Sequence, residues 1–397
     1  MKKIALASAI ALASISAAHA APTVYGKVLL TGEYNNTDYE DNAKNDESVT
    51  KLQSNSSRIG FKGDEELTDT TKLVYQLEYG VDVDAASNKD SKGNDKNQFY
   101  SRNTFLGLAH NTMGTVLAGR HDTPYKLAKG GVDVFNDYDN VGLGNLMVGE
   151  QRANNVLAYK SPAIVGMPLT FMAAVALSEN DNDAKKVLST KTTTTASQTA
   201  NLSGTKTVVE TVTANDTKTK DNAYSASLAY DENGVYLAGG YDNNVGAVDS
   251  AWRLAGSVDM GKMNMVQGLT LGALYQNSSY LDGVYTKVTT DTSLAPSATN
   301  PKTESSKKDY ENEKSWLLSA KYKFNDTPWA VKAQYINTSN YKGEKDTDAT
   351  EIALGAEYTI NKAAKAHMYA AQINTDKSAK NADIDKTIVG AGLEYKF

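Results

Sequence analysis

Cysteine is absent from this 397-residue chain, and proline and tryptophan are scarce, with 7 and 3 residues. Without cysteine, disulfides cannot close the fold, so hydrogen bonding and burial alone must stabilise it. Beyond residue 20 the sequence also lacks any run near the roughly 18 consecutive apolar residues of a transmembrane helix. These absences argue against a helical membrane protein. They are compatible with one large β-barrel, which can accommodate a length that otherwise suggests several domains.

Basic residues are not in excess either, because 41 lysines and arginines are outnumbered by 47 acidic residues, for a net charge of −6. No basic cluster indicates binding to DNA or RNA. No metal or cofactor is expected, since cysteine is absent and no two histidines have ligand spacing. The pair His121-Asp122 has no serine motif beside it. The sequence therefore does not predict an enzyme.

The first 20 residues differ from the rest of the chain. Two lysines precede a mostly apolar run from Ile4 to Ala17, and Ala18-His19-Ala20 offers a small-residue cleavage site. This order is typical of a secretory signal. We expect residues 1–20 to be a signal peptide and residues 21–397 to form a single β-barrel domain.

From Thr23 onward, apolar and polar residues alternate with a period of two, which is the signature of half-buried strands. In the segment from Ser315 to Phe324 the even positions are apolar or aromatic and the odd ones mostly polar, with Leu317 as the exception. The last segment, Ile388 to Phe397, alternates in the same way and ends on an aromatic residue. Apolar alternation with aromatic ends predicts an all-β, transmembrane, antiparallel β-barrel.

Short turns and long polar loops separate these segments in regular alternation. Counting them gives about 16 strands, an even number that places both termini on the short-turn side. The long loops are predicted at 36–51, 84–98, 122–150, 178–221, 243–249, 277–313, 339–349 and 376–385. The longest two, 178–221 and 277–313, contain insertions too polar to pack as part of a soluble core.

Each of the five arginines lies within or at the end of a predicted strand, whereas many lysines lie in the loops. The apolar residues Ile59 and Phe61 should face lipid, so Arg58 points inward, because a charge facing lipid near the midplane costs about 2–4 kcal/mol. The same two-residue alternation predicts that Lys27 and Arg152 also point inward. The inward orientation of Arg253 depends on this period alone. For every arginine, a rim charge or a structural salt bridge is the alternative.

Some strands are apolar on both faces near Arg102 and Gly114. The residues concerned are Phe105, Leu106, Leu108, Val116 and Leu117. A wall packed against another protein would tolerate this composition, which suggests a subunit interface. Chance irregularity is the other interpretation.

Five short motifs occur in a fixed order along the chain. They are Tyr25-Gly26-Lys27-Val28, Ser57-Arg58-Ile59-Gly60-Phe61-Lys62-Gly63, Ser101-Arg102-Asn103-Thr104-Phe105-Leu106-Gly107-Leu108, Gly119-Arg120-His121-Asp122-Thr123-Pro124 and Arg152-Ala153-Asn154-Asn155. Together they resemble the general trimeric porins of Gram-negative outer membranes, in particular the beta- and gamma-proteobacterial branch, over essentially the whole mature chain. The resemblance implies a homotrimer of 16-stranded barrels in the outer-membrane lipid bilayer, each with its third loop folded inward.

The resemblance also implies a pore constriction, carried over onto the matching positions of this sequence. Its basic wall would consist of Lys27, Arg58, Arg102, Arg120 and Arg152. Its acids would be Asp133 and Asp137 on the inward loop, with Asp139 as a third. Fixed cations facing fixed anions across a narrow aqueous gap orient dipolar solutes and penalise apolar ones. The expected function is passive diffusion of small hydrophilic solutes and ions across the outer membrane.

Other functions remain open at this point. The basic residues of the wall could recognise a small anionic nutrient, which would make the channel substrate-selective. An outer-membrane phospholipase or protease would need a Ser/His or Asp/His set at one rim, against which the few histidines argue. An adhesive barrel could use the loops 178–221 and 277–313 to bind surfaces, in addition to forming a pore.

Overall fold

The computed structural model describes residues 21–40, 46–84, 98–164, 166–178, 185–199, 202–215, 222–246, 248–280, 283–291, 302–308, 310–376 and 383–397. For residues 185–199, 202–215, 283–291 and 302–308 only the backbone is described. The predicted signal peptide, residues 1–20, lies outside the described residues.

Strands make up nearly all of the regular structure in these ranges. They are β1 (Thr23–Tyr39), β2 (Glu47–Ser54), β3 (Arg58–Thr68), β4 (Thr71–Val81), β5 (Phe99–His110), β6 (Gly114–Asp122), β7 (Arg152–Lys160), β8 (Leu169–Ala176), β9 (Lys185–Thr199), β10 (Leu202–Asn215), β11 (Ala223–Glu232), β12 (Val235–Asn243), β13 (Val248–Asp259), β14 (Leu269–Tyr280), β15 (Gly283–Asp291), β16 (Lys302–Lys308), β17 (Glu313–Lys323), β18 (Trp329–Ser339), β19 (Asp348–Thr359), β20 (Ala364–Thr375) and β21 (Ile384–Lys396). The described helices are α1 (Pro124–Leu127), α2 (Leu143–Leu146) and a 3₁₀ turn, Tyr341–Gly343. No helix in these ranges is long and apolar enough to cross a membrane.

One antiparallel sheet of 17 strands closes on itself. The closing pair is β1 with β21, in register from Lys27 opposite Lys396 to Tyr39 opposite Ile384. Both β2 and β3 pair with β1, β3 over its first residues and β2 farther along, so the two act as one interrupted strand. Counted in this way, the ring has 16 strands within the described part of the chain. The predicted closed antiparallel barrel is confirmed.

The interruption between β2 and β3 has a local cause. Ser56 adopts a left-handed conformation with φ of 47°, which takes the chain out of the ladder. The hydroxyl of Ser57 then substitutes for a ladder partner, accepting a hydrogen bond from the Leu29 amide at 3.0 Å. The side chain of Asn55 donates to the Thr31 hydroxyl of β1 at 2.9 Å, and its carbonyl oxygen is left to accept a further hydrogen bond inside the barrel.

The two faces of the barrel wall follow the predicted alternation. On β13, Leu254 is 58% exposed on the outer surface, whereas the neighbouring Arg253 is fully buried at 0%. Aromatic rings pair near strand ends, as Trp329 and Tyr358 do with centroids 4.9 Å apart. The exception in the pattern, Leu317, points inward and is buried in a cluster that includes loop residues. The outer surface is therefore apolar, as a lipid-facing barrel wall requires.

The strands that are apolar on both faces have an internal explanation. Leu117 on β6, Val156 on β7 and Met172 on β8 pack together inside the barrel, with Phe105 against them. Leu106, Leu108 and Val116 are exposed on the outside. The inner apolar positions are thus accounted for by this cluster, and the subunit interface stays a prediction.

The two longest predicted loops contain more order than their polarity indicated. The strands β9, β10, β15 and β16 form a second, four-stranded sheet, in which β10 of one loop pairs with β15 of the other. Threonine and valine are frequent in these segments, and β-branched residues favour strands even where nothing is buried in a core. Polarity excluded these segments from a core but did not exclude strand structure.

Candidate functional site

The segment between β6 and β7, residues 123–151, does not stay at the rim. It begins as a short helix, with Pro124 at its first turn and the Thr123 hydroxyl accepting a hydrogen bond from the Lys126 amide at 3.1 Å. Farther along, the Val134 amide donates to Gln334 on β18 at 3.0 Å. The Ser319 hydroxyl on β17 donates to the Val132 carbonyl at 2.6 Å. The segment, called the inner loop below, therefore lies against the inner face of distant strands.

Apolar packing seats the inner loop on that wall. Its residues Phe135, Leu143 and Leu146 are buried in one cluster with inward-pointing residues of the wall, among them Leu317 and Ile336. Full burial of a side chain of this size contributes about 1.5–3 kcal/mol to stability. The inward apolar residues of these strands are thus explained by the loop that covers them.

Glycines on the wall leave room for the loop to approach. A Cβ added to Gly272 on β14 would lie 2.6 Å from the Ser319 hydroxyl and 3.2 Å from a methyl group of Val132. A Cβ on Gly355 of β19 would lie 3.2 Å from the Phe135 ring. Any larger residue at these positions must therefore displace the loop or its partners.

Carboxylates hold the loop backbone in place. Glu351 on β19 accepts from the Gly142 amide through both oxygens, at 2.8 and 3.1 Å. Within the loop, Asp133 accepts from the amides of Phe135 at 3.1 Å and Leu143 at 3.2 Å. Burial raises the pKa of Asp133 above its usual range, despite the opposing charge of Lys129. The first predicted loop acid, Asp133, therefore also stabilises the fold of the loop.

The second predicted loop acid, Asp137, contacts the basic wall directly. Its carboxylate lies 2.8 Å from the Lys27 ammonium of β1 and 3.9 Å from the Arg58 guanidinium of β3. Burial by itself raises the pKa of Asp137, but the charges of Lys27, Arg58 and Lys365 outweigh it and hold that pKa below its usual range. Asp137 is therefore an ionised partner of two predicted wall cations.

The third predicted loop acid, Asp139, is positioned by the interrupted strand. Its amide donates to the Asn55 side chain at 3.0 Å, and its carboxylate accepts from Gln53 at 3.3 Å. Burial, together with the nearby charges of Asp82 and Glu33, raises the pKa of Asp139 to about 6. This group therefore titrates closer to neutrality than an ordinary carboxyl.

Acids lie between the arginines of the wall itself. Glu78 on β4 accepts from Arg102 at 2.7 Å and lies 3.8 Å from Arg58. Asp122, at the end of β6, lies 3.1 Å from Arg152 and 2.7 Å from Lys126 of the loop. The sequence interpretation missed these two acids, although Glu78 alternates with the outward-facing Leu77 and Tyr79, a signal that could have shown it pointing inward.

Loop and wall enclose a cavity of about 540 Å³. Six of the eight predicted constriction residues line it, namely Arg58, Arg102, Arg152, Asp133, Asp137 and Asp139. Lys27 is 2% exposed and reaches the site only through its contact with Asp137. Arg120 is placed differently, since it donates to the Ser101 carbonyl at 3.1 Å and to the Asn154 side chain and does not line the cavity.

Arg253 points inward as its period predicted, and it contacts the inner loop. Its guanidinium donates to Glu150 at 2.9 Å and to the Val148 carbonyl at 3.2 Å, and lies 4.2 Å from the centre of the Tyr125 ring. Lys129 also pairs with Glu150. Burial alone raises the pKa of Glu150, but these two cations lower it below its usual range. For Arg253, the structure therefore agrees with the alternative of a structural salt bridge. Its contacts with Tyr125 and Glu150 hold both ends of the inner loop against β13.

A lysine-rich cluster lies on the inner wall near β17 to β21. Glu357 lies within salt-bridge distance of three ammonium groups, those of Lys321 at 2.9 Å, Lys332 at 3.1 Å and Lys365 at 3.2 Å. Lys332 also lies 4.5 Å from the centre of the Phe135 ring, a cation–π contact with the loop. Sequence reasoning did not single out this cluster, because lysines are common throughout the chain.

The described histidines contact backbone or hydroxyl oxygens. Nδ1 of His121 lies 2.7 Å from the Asp122 carbonyl, and Nε2 of His367 lies 2.9 Å from the Thr31 hydroxyl. Among the residues that the structure describes, no three His, Cys, Asp or Glu side chains are grouped so that they could hold a metal ion. The charged site between loop and wall is therefore the main candidate for function.

Comparisons with known proteins agree with this architecture. Residues 5–396 match the family model described as Gram-negative porin. An outer membrane porin protein of Bordetella pertussis is 29% identical over 203 residues, which cover 47% of this chain and 51% of that protein. The chain thus spans about half the length of that curated relative. A major outer membrane protein P.IA of Neisseria meningitidis serogroup A is 27% identical over 354 residues, or 88% of this chain and 74% of that protein.

Solved structures show the same fold. An anion-selective porin from Comamonas acidovorans superposes with a TM-score of 0.64 at 17% identity, covering 95% of this chain and 99% of that one. Salmonella typhi OmpF in complex with daunomycin gives a TM-score of 0.58 at 17% identity, covering 95% and 97%. At this identity the likeness establishes the fold.

Proposed function

Because the chain belongs to the Gram-negative porin family, we propose that it forms an outer-membrane channel for passive diffusion of small hydrophilic solutes and ions. One observation carries the proposal: the cavity of about 540 Å³ between the inner loop and the wall, with charged groups of both signs around it. Lipid would contact the apolar outer surface, and the charged inner surface would contact water. Solutes would cross by diffusion through this gap.

The predicted constriction is proposed to act through its transverse field. Arg58, Arg102 and Arg152 provide fixed positive charge on the wall, and Asp137 and Asp139 provide negative charge on the loop. Guanidinium groups suit the wall because they stay charged and are weakly hydrated. Such a field orients dipolar solutes, and it disfavours apolar solutes that cannot exchange hydration for polar contacts. Asp133 also lines the gap, and Lys27 supports the constriction through its contact with Asp137. Arg120 was predicted for the basic wall, but it lies outside the lining of the gap.

A substrate-selective channel for small anionic nutrients is the second candidate. The observation that favours it is the lysine-rich cluster, where Glu357 has three lysine partners. The Comamonas structure carries the description anion-selective. A channel of this type would saturate with its anion, whereas a general diffusion channel would not.

The proposal extends to export, assembly and catalysis. Residues 1–20 are proposed to direct export and to be removed, so that the mature chain begins at Ala21. The barrel is proposed to assemble as a homotrimer through part of its apolar outer surface. No catalytic role is proposed, because the described histidines contact a threonine hydroxyl or nearby backbone rather than a nucleophile with its base.

The test is conductance in a planar lipid bilayer. Purified, folded protein should insert in discrete steps, and each step should add a constant increment of current. A size series of neutral sugars in liposome swelling would then define the exclusion limit. Folded barrels that insert but conduct at no voltage would refute the channel proposal.

A further inference from the structure

A second cavity, of about 550 Å³, lies inside the barrel beneath helix α1. Leu127 and Ala128 of the inner loop bound it on one side, and the inner faces of β6, β8 and β12 bound it on the other. The Tyr236 hydroxyl of β12 donates to the Ala128 carbonyl at 3.0 Å, which fixes the helix above the cavity. We call this cavity the apolar recess.

The lining of the recess differs from that of the charged gap. Leu117 and Met172 belong to the buried cluster of the inner wall, and Leu127, which is 44% exposed, also lines the recess. An exposed leucine beside a leucine and a methionine is unexpected in a channel for hydrophilic solutes. Cavities of about 300–1,000 Å³ with mostly apolar walls and a few polar groups are typical of small-molecule sites.

Polar groups also line the recess. Lys160 at the end of β7 lines it, and in the described part of the chain its ammonium forms no salt bridge. His121 lines the recess as well, and Asp231 is the one acidic residue among its lining residues. Lys160 therefore offers a positive charge that no salt bridge of the described chain neutralises.

The recess adjoins the constriction. Asn103 and Leu127 line both cavities, so a solute that leaves the charged gap meets the recess next. An anion attracted by the wall arginines could pass from there into the recess that Lys160 lines. An aromatic ring on the same solute could pack against Leu117, Leu127 and Met172.

We propose that the apolar recess is a binding subsite for small aromatic monocarboxylates, with the ring against Leu127 and Met172 and the carboxylate at Lys160. The inference rests on the proposed channel function, because the solute must enter the barrel to reach the recess. It adds a solute preference that the charged constriction alone would not give. The channel would thus favour compact aromatic acids over polar anions of similar size.

The test measures block of single-channel current by three probes: 3-phenylpropionate, gluconate and 2-phenylethylammonium. The protein is expected to bind 3-phenylpropionate about tenfold more tightly than gluconate, because only the phenyl ring leaves water. It should also bind 3-phenylpropionate more tightly than 2-phenylethylammonium, because the Lys160 ammonium attracts a carboxylate and repels an ammonium. Equal block by gluconate would overturn the apolar part of the proposal. Equal block by 2-phenylethylammonium would overturn the assignment of the carboxylate to Lys160.

Matched variants separate binding from folding. Met172→Gln and Leu127→Gln should each weaken block by 3-phenylpropionate about tenfold, while Met172→Leu should retain it. Lys160→Gln should remove the preference over 2-phenylethylammonium, and Lys262→Gln, a change in a turn outside the recess, should not. Block that is unchanged in Met172→Gln, Leu127→Gln and Lys160→Gln would refute the subsite.

Single-channel conductance without any probe is the internal control. The variants at Met172, Lys160 and Lys262 should insert with nearly the conductance of the parent protein, since none of these residues lines the charged gap. Leu127 lines that gap, so block of Leu127→Gln is measured relative to its own unblocked current. Absence of conductance in the parent protein would instead refute the channel proposal. The two failures are therefore distinguishable.

Discussion

The Asp137 carboxylate of the inner loop lies 2.8 Å from the Lys27 ammonium of the barrel wall. Lys27 is in the first strand of the ring, and Asp137 is in the loop between the sixth and seventh strands as numbered here. Only a loop that enters the barrel can bring these two groups together. The contact therefore links the fold of the wall to the width of the proposed pore.

The arginines that line the charged gap should set ion preference. Changing Arg58, Arg102 and Arg152 together to glutamine should shift the reversal potential in a salt gradient toward cations, because the acids of loop and wall remain. The measurement is the zero-current potential across a planar bilayer with a tenfold KCl gradient, in which a perfectly selective channel gives about 59 mV. Arg120→Gln is the matched control and should change it little, since Arg120 does not line the cavity. An unchanged potential in the triple variant would show that these side chains lie away from the narrowest part.

Selectivity should also depend on pH through Asp139. Burial raises the pKa of this carboxyl to about 6, so it is mostly ionised at pH 7.5 and mostly neutral at pH 5. Lowering the pH therefore removes a negative charge and should shift the reversal potential toward anions. Asp137 has a lowered pKa and keeps its charge over this interval. The variant Asp139→Asn should show a smaller shift, and an equal shift in both proteins would assign the effect to another group.

A larger side chain where the inner loop packs against the wall should lower the conductance of the pore. A side chain at Gly272 would meet Ser319 and Val132, so Gly272→Val should push the loop away from the wall at a cost of about 1–3 kcal/mol. We expect lower single-channel conductance, because the displaced loop occupies more of the lumen. Gly131→Ala is the control, since an added Cβ there has no neighbour within 4 Å. Equal conductance in the two variants would contradict the close packing of the inner loop against Gly272.

Arg253 should matter for the rigidity of the loop. Arg253→Met removes a fully buried guanidinium and leaves Glu150 with Lys129 as its remaining salt-bridge partner in the described chain. The cost should be below about 3–5 kcal/mol, the cost of leaving a buried charge without a partner, because Lys129 still compensates Glu150. The expected result is increased current noise and a lower unfolding temperature, measured by bilayer recording and by circular dichroism. Arg253→Lys should give an intermediate effect, because an ammonium cannot contact Glu150, Val148 and the Tyr125 ring at once. Quiet channels with parental stability in Arg253→Met would show that the loop is held elsewhere.

Much of the wall could be predicted from local pattern. The alternation around Ile59 and Phe61 was enough to predict that Arg58 points inward. The residues typical of turns allowed the strands to be counted. In the turn at Asn233 and Gly234 both residues have positive φ, 53° and 83°, as a tight hairpin requires. Such features depend on neighbours in sequence, so they can be seen without a structure.

Contacts between distant segments could not be predicted in this way. Arg253 and Glu150 are 103 positions apart, so their pairing follows from the path of the inner loop and not from any local pattern. Glu78 is one acid in an alternating strand, and only its position between Arg58 and Arg102 shows its importance. The strands of the second sheet were missed because polarity was given more weight than the β-propensity of threonine and valine.

The most direct test of the central claim is charge modification of Asp137 in the open channel. In Asp137→Cys, which carries the single cysteine of the chain, a positively charged methanethiosulfonate reagent added to the solution should reduce single-channel conductance irreversibly and shift selectivity toward anions. A negatively charged reagent should shift it toward cations. If mass spectrometry shows complete labelling while conductance and reversal potential stay unchanged, then Asp137 does not line the pore, and the proposed constriction is wrong.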